Sequence, residues 1–291
     1  MHKNNKHKNY NFDLLCKNNV NLNQHVFTNK YGTKTINFAD PKAVKALNKT
    51  LLSTHYNIKF WDFPDENLCP PIPSRVDYIH HLSELIVNKD KKKVTILDIG
   101  TGATCIYPLL GNSVYDWHFV ASDIDKNSLE VATKIIKKNE LEDEITCRFQ
   151  DDSSHILKGI FKEEDYFTAV MCNPPFYKSK QEADEANNRK QKGLNPAKKY
   201  DTKDSNIQSI RNFSGNSNEL WYKGGEKAFL HNYLYESSLF KDQCEWFTSL
   251  VSKKENVKSM YASLQKLKAK TIKTIEMKQG NKITRIVAWQ F

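Results

Sequence analysis

From Val94 onward, apolar residues alternate between short continuous runs and helical stripes. VTILDIG, WHFVASDID, EITCRFQDD and FTAVMCN are β-branched runs of strand length, whereas KNSLEVATKIIKKN spaces its apolar residues along one helix face and GATCIYPLL opens a further helix. That rhythm predicts an α/β fold built on a doubly wound, mostly parallel sheet covered on both faces. The periodicity lapses from Tyr177 to Leu220, a stretch rich in Lys, Asn, Gln and Ser that reads as a long, mobile, functional loop. It resumes as a helix in GGEKAFLHNYLYESSLF, a strand in CEWFTSLVS and a helix in NVKSMYASLQKLKA. Two final runs, TIKTIEMKQ and ITRIVAWQF, joined at Gly280 and Asn281, predict a hairpin and hence an antiparallel last strand.

Upstream the pattern is different. Asp40 and Pro41 suit the N-cap and first position of a helix whose apolar face is Ala43, Val44, Leu47, Leu51 and Leu52. A proline-rich extended piece follows, and Ser74 is the expected cap of a helix with Ile79, Leu82, Leu85 and Ile86 on one face. The first 30 residues are rich in Asn and Lys and predict weak local order. Residues 1–90 are therefore read as a basic helical module and residues 91–291 as the α/β domain.

With 291 residues, of which 39% are hydrophobic, the chain can bury a sizeable core. No apolar stretch approaches the roughly 20 residues that span a bilayer. The start, MHKNNKHKNYNF, lacks the apolar centre of a secretory signal, so a cytoplasmic location away from membranes is expected. Cys16, Cys69, Cys105, Cys147, Cys172 and Cys244 show no CxxC spacing, which predicts reduced, buried thiols and no metal site. The net charge of +10 is uneven: ten lysines against Asp13 and Asp40 give residues 1–60 a balance of +8. A nucleic acid fits such a surface, because each neutralised phosphate releases counterions. The excess of 39 lysines over 5 arginines is also what an A·T-rich coding sequence yields, and charge alone leaves both readings open.

Candidate chemistry gathers where the strands end. The first run reaches Asp98 and enters Gly100-Thr101-Gly102 before a helix, a turn where a ligand can approach the backbone and meet free helix N–H groups. The third glycine of the dinucleotide fingerprint is missing, and Asp98 would repel a pyrophosphate, so a cofactor bearing an ammonium group fits better. Asp123 ends the next run, 25 residues later, where its carboxylate can accept from two ribose hydroxyls, Asp125 being the alternative as a helix cap. Asp152 or Ser153, in QDDSS after the third run, could reach an adenine edge. The fourth run stops at Asn173-Pro174-Pro175-Phe176, an abrupt end that a central strand seldom has without cause.

The order of GxG turn, ribose Asp and NPPF resembles the class I S-adenosylmethionine-dependent methyltransferases, a Rossmann-like fold, that modify amino groups conjugated to a ring or carbonyl. Such a nitrogen delocalises its lone pair and needs acceptors on its N–H groups. The Asn173 side-chain carbonyl and the Pro174 main-chain carbonyl can serve, held by the diproline, with Phe176 stacking on the base. Longer blocks, among them YGTKTINFADPKAVKALNKTLL, PPIPSRVDYIHH, ELWYKGGEKAF and WFTSLVSKKENV, resemble the bacterial 23S ribosomal RNA adenine-N6-methyltransferase F family from about Asn9 to the carboxyl terminus. More distantly, they resemble eukaryotic methyltransferases that modify adenine in structured RNA. The resemblance implies methyl transfer from S-adenosylmethionine to N6 of one adenine in 23S ribosomal RNA, free or in a large-subunit assembly intermediate, by a metal-free monomer. It implies that Arg75 contacts the cofactor carboxylate, that Asp98, Gly100, Gly102 and Thr104 line its methionine end, and that Asp123 holds its ribose. Asp152 or Ser153 would lie near its adenine, and Asn173, Pro174, Pro175 and Phe176 would form the catalytic segment. At Asp123 related sequences often carry Glu, a longer reach. Methylation of a protein glutamine or of DNA adenine, and RNA binding without catalysis, are the alternatives.

Overall fold

A computed structural model of the chain describes residues 1–7, 9–86, 93–179, 181, 182, 185, 221–279 and 282–291. Most of the expected long loop, Lys91 and Lys92, and the Gly280-Asn281 connection lie outside the described residues.

The amino-terminal residues are tied into the core. Two short helices, α1 (Phe12–Asn18) and α2 (Val20–Asn23), precede a hairpin of β1 (Val26–Thr28) and β2 (Lys34–Ile36). The asparagines that suggested weak order act as caps: Asn11 accepts from the Leu14 N–H and Asn19 from the Asn21 N–H. Phe12, Leu15 and Leu22 are buried in the same core as α3 (Pro41–Tyr56), while Leu14 and Val20 stay exposed. Helix α3 is capped by Asp40, as expected, and ends at left-handed Asn57. Helix α4 (Ile72–Leu85) starts two residues before Ser74, which donates to the Pro71 carbonyl at 3.0 Å instead of capping. Prolines 71 and 73 preset the backbone there, so the helix begins without a side-chain cap. The His2 backbone N–H and the Asn5 side chain donate to Asp77 of α4 at 3.0 and 2.5 Å.

The remaining elements are β3 (Thr95–Ile99), α5 (Ile106–Tyr115), β4 (His118–Asp123), α6 (Lys126–Lys138), β5 (Ile145–Phe149) and β6 (Phe167–Cys172). They continue as α7 (Gly225–Leu239), β7 (Cys244–Val251), α8 (Lys254–Lys266), β8 (Thr271–Gln279) and β9 (Lys282–Gln290). One seven-stranded sheet runs β5-β4-β3-β6-β7-β9-β8, with β9 antiparallel to both neighbours and β3 to β7 mutually parallel. The doubly wound, mostly parallel fold is thus present. Alternation along the strands feeds two cores: Ile96, Ala121 and Met171 pack with α3, α4 and α5, whereas Leu97, Val120 and Val170 pack with Tyr233 and Leu234 of α7. Strand order reverses between β3 and β6, and a crevice opens beyond the carboxyl ends of strands at such a point.

All six cysteines are free, but only Cys105, Cys172 and Cys244 are buried. Among the described residues, no helix is long and apolar enough to cross a membrane.

Candidate functional site

The crevice at this switch point is lined by eight of the residues singled out from the sequence: Arg75, Gly100, Gly102, Thr104, Asp123, Ser153, Asn173 and Pro175. The glycine turn is built for conformation: Gly100 and Gly102 have φ of +71° and +63°, where a side chain would be strained. Its amides serve the sheet. The Gly100 and Thr101 N–H groups donate to the Ser122 carbonyl at 2.9 and 3.0 Å, and the Gly102 N–H donates to Asp123 Oδ2 at 2.8 Å. Helix α5 starts only at Ile106, after left-handed Cys105, so the turn does not lead straight into the helix that the sequence suggested.

Asp123 and Asp125 divide two roles. Asp125 caps α6 by accepting from the Asn127 N–H at 3.1 Å, while Asp123 Oδ1 accepts from the Asp125 N–H at 2.9 Å. Each Asp123 oxygen thereby holds one amide and keeps lone-pair capacity towards the cleft. Burial pushes its pKa up.

Asp98 lies behind this turn with 1% of its surface exposed. Neither carboxylate oxygen has a hydrogen-bond partner; the Thr101 hydroxyl is near but outside bonding geometry and is itself unpartnered. Burial pushes the Asp98 carboxyl up to about 7, the Asp123 charge adding to it and Thr101 and Arg75 opposing it. Arg75, from the first turn of α4, donates through Nη1 to the Tyr107 hydroxyl at 2.8 Å and sits 5.4 Å from that ring's centre. Its Nε is buried without a partner.

On the fourth strand end, Asn173 is half-buried and its Oδ1 is buried and unpartnered. Pro174 is buried, and half-buried Phe176 is not among the residues lining the cleft. Asp152 is exposed and turned into its own loop, accepting from the Ser154 N–H and hydroxyl at 2.8 and 2.6 Å; Ser153 alone of that pair lines the cleft. Sequence reasoning missed Tyr107, Gln150, His155, Trp221, Tyr222 and Phe229, which also line it. Trp221-Tyr222 carried one signal, an aromatic pair outside any periodic stripe; Tyr107 carried none, since it reads as an ordinary core residue.

The chemistry of the site is polar and uneven in sign: an unpartnered buried carboxylate at Asp98, a guanidinium donor at Arg75 and an amide acceptor at Asn173. That set fits a ligand with an ammonium and a carboxylate at one end, beside a group that donates N–H. Ligand-type atoms of His2, His81 and Glu84 also converge, away from the cleft. His2 Nδ1 accepts from the Asn4 N–H at 3.1 Å, and its Nε2 lies 3.0 Å from Glu84 Oε1.

Comparison with known proteins agrees with this chemistry. A family described as RNA methyltransferase matches residues 1–291. The ribosomal RNA large subunit methyltransferase F of Flavobacterium johnsoniae is 47% identical over 299 residues, covering 100% of this chain and 93% of that protein. The protein of the same name from Colwellia psychrerythraea is also 47% identical, covering 100% and 99%. Among solved structures, the human METTL16 catalytic domain in complex with hairpin 1 of the MAT2A 3′ UTR is similar with a TM-score of 0.83 at 30% identity, over 100% of this chain and 95% of that one. The N-terminal domain of human METTL16 in complex with SAH gives 0.79 at 29% identity, over 100% and 98%.

Proposed function

Because this chain belongs to the RNA methyltransferase family that includes the bacterial ribosomal RNA large subunit methyltransferase F proteins, we propose that it methylates N6 of one adenine in 23S ribosomal RNA. S-adenosylmethionine is the methyl donor and supplies an electrophilic methyl group on a sulfonium centre. In this reading Asp98 accepts from its ammonium group, Arg75 donates to its carboxylate, and Asp123 uses its free lone pairs on the ribose hydroxyls. Gly100, Gly102 and Thr104 line the methionine end, and Ser153 lies towards the adenine. The observation that carries the proposal is the Asn173 side-chain oxygen, buried and unpartnered in the same cleft as Arg75, with the unpartnered Asp98 carboxyl behind the glycine turn that lines it. Accepting an N–H of the target amine, it holds the nitrogen with its lone pair free to point at the methyl group. The nitrogen is briefly cationic after transfer, and a proton leaves through the same acceptor or water.

Residues 1–90 act in this proposal as an RNA-binding module, and the enzyme works as a cytoplasmic monomer. Lys3, Lys6, Lys17, Lys30, Lys34 and Lys42 are exposed, interleaved with exposed Phe27, Tyr31 and Phe38. Cations among aromatic rings suit phosphates and unstacked bases, and a base must leave its stack to reach the cleft. Incubation with methyl-labelled cofactor and naked 23S rRNA, a release factor or duplex DNA tests the proposal. N6-methyladenosine in digested rRNA is expected; label on protein or DNA alone would overturn it.

A further inference from the structure

The unpartnered polar groups in and just behind the cleft mostly have a use in the reading above: Asp98, with Thr101 beside it, for an ammonium group, Arg75 for a carboxylate, Asn173 for an amine. Trp221 is left over. It lines the cleft, and its indole Nε1–H is buried with no hydrogen-bond partner. An indole N–H can only donate, and buried donors in folded proteins are paired with protein, water or ligand.

Backbone contacts, not a core stripe, hold Trp221 there. It forms a parallel bridge with Tyr177, and the Tyr222 N–H donates to the Tyr177 carbonyl at 3.0 Å. The Tyr222 hydroxyl accepts from Asn232 Nδ2 at 2.8 Å, and the Tyr222 ring meets Phe229 edge-on at 5.3 Å, which anchors the pair to α7. Bridged backbones lie about 4.8 Å apart. Trp221 therefore runs beside the segment that carries Asn173 four residues earlier, and a donor and an acceptor are delivered to one cleft by two joined pieces of chain.

We infer that Trp221 is a specificity-determining residue: its Nε1–H donates to a ring nitrogen flanking the amine that Asn173 accepts from. This rests on the proposed methylation of adenine in RNA. Adenine suits the pair, because its N6 amine has an acceptor nitrogen on either edge, N1 or N7. Guanine flanks its N2 amine with an N1–H donor on one side and the N3 acceptor on the other, so only one of its edges could receive the indole N–H, whereas either edge of adenine N6 can.

The test uses full-length Trp221→Phe, which keeps a flat ring but removes the donor together with part of the indole, so deaza substrates are used to separate the lost hydrogen bond from lost packing. Wild type and variant are assayed on an rRNA fragment bearing adenosine, 1-deazaadenosine or 7-deazaadenosine at the methylated position. The variant should lose about tenfold or more in kcat/KM on adenosine, with cofactor Kd within about twofold by calorimetry. One of the two deaza substitutions should cost the wild type a similar factor and cost the variant nothing further. Unchanged kcat/KM, a loss confined to cofactor affinity, or variant and deaza losses that multiply independently would each overturn the inference. A wild type that leaves adenosine unmethylated would instead overturn the reading beneath it.

Discussion

At neutral pH the Asp98 carboxyl is divided between two protonation states, because burial pushes its pKa up to about 7. A neutral carboxyl cannot balance an ammonium group, so cofactor affinity should fall as pH drops below about 7, which calorimetric titration across that range would read. In the free protein the sign is opposite. The folded pKa stands above the ordinary 3.8, so the carboxyl's contribution to stability is full below that value and is lost as pH rises through about 7. Asp98→Asn should therefore raise the thermal midpoint of the free protein at pH 8 while weakening cofactor binding about tenfold or more; lower stability with unchanged binding would refute this. Asn173→Ala should cut kcat about a hundredfold or more, leaving cofactor Kd nearly unchanged, in single-turnover and binding assays. The positions of Asp98, Asp123 and Asn173 at strand ends could be read from the sequence, since a strand that stops places its last side chains at the carboxyl edge of the sheet. The Gly102 amide on Asp123 and the Tyr107 hydroxyl on Arg75 could not, because both join segments more than 20 residues apart.

Periodicity located the helices and strands of the α/β part because burial on both sheet faces forces it, yet element ends were set by local chemistry that competes with it. Prolines replaced the Ser74 cap of α4, and left-handed Cys105 delayed α5. Helix α5 also shows a close approach invisible in one dimension. A Cβ on Gly111 would lie 2.4 and 2.6 Å from two ring atoms of Phe119 on β4, so the missing side chain is what allows helix and sheet to meet. Gly111→Ala should destabilise the fold by about 1–3 kcal/mol, measured by denaturant unfolding, as Phe119 or the helix is displaced. Full wild-type stability would show that the helix can shift without cost.

Across the molecule, the amino-terminal charge is carried by residues whose neighbours are buried, so deleting the segment would uncover Phe12, Leu15 and Leu22 along with removing lysines. Charge is better tested in place: Lys17, Lys30 and Lys42 changed together to Ala should weaken RNA binding and lower the slope of log K against log salt by roughly 0.7–0.9 for each phosphate that is no longer neutralised. An unaltered slope would return those lysines to genome composition. The sheet has its own asymmetry. Strand β9, last in the chain, pairs with β7 on one side and β8 on the other, and Trp289 within it is fully buried, stacked on Phe247 and donating to Ser237. Strand β7 is thus an open, apolar edge until the later hairpin arrives, a long-range closure that a folding chain reaches slowly. Damage to that hairpin would leave a template for a second chain's backbone, and the cell would meet the defect as aggregate before it met it as lost methylation.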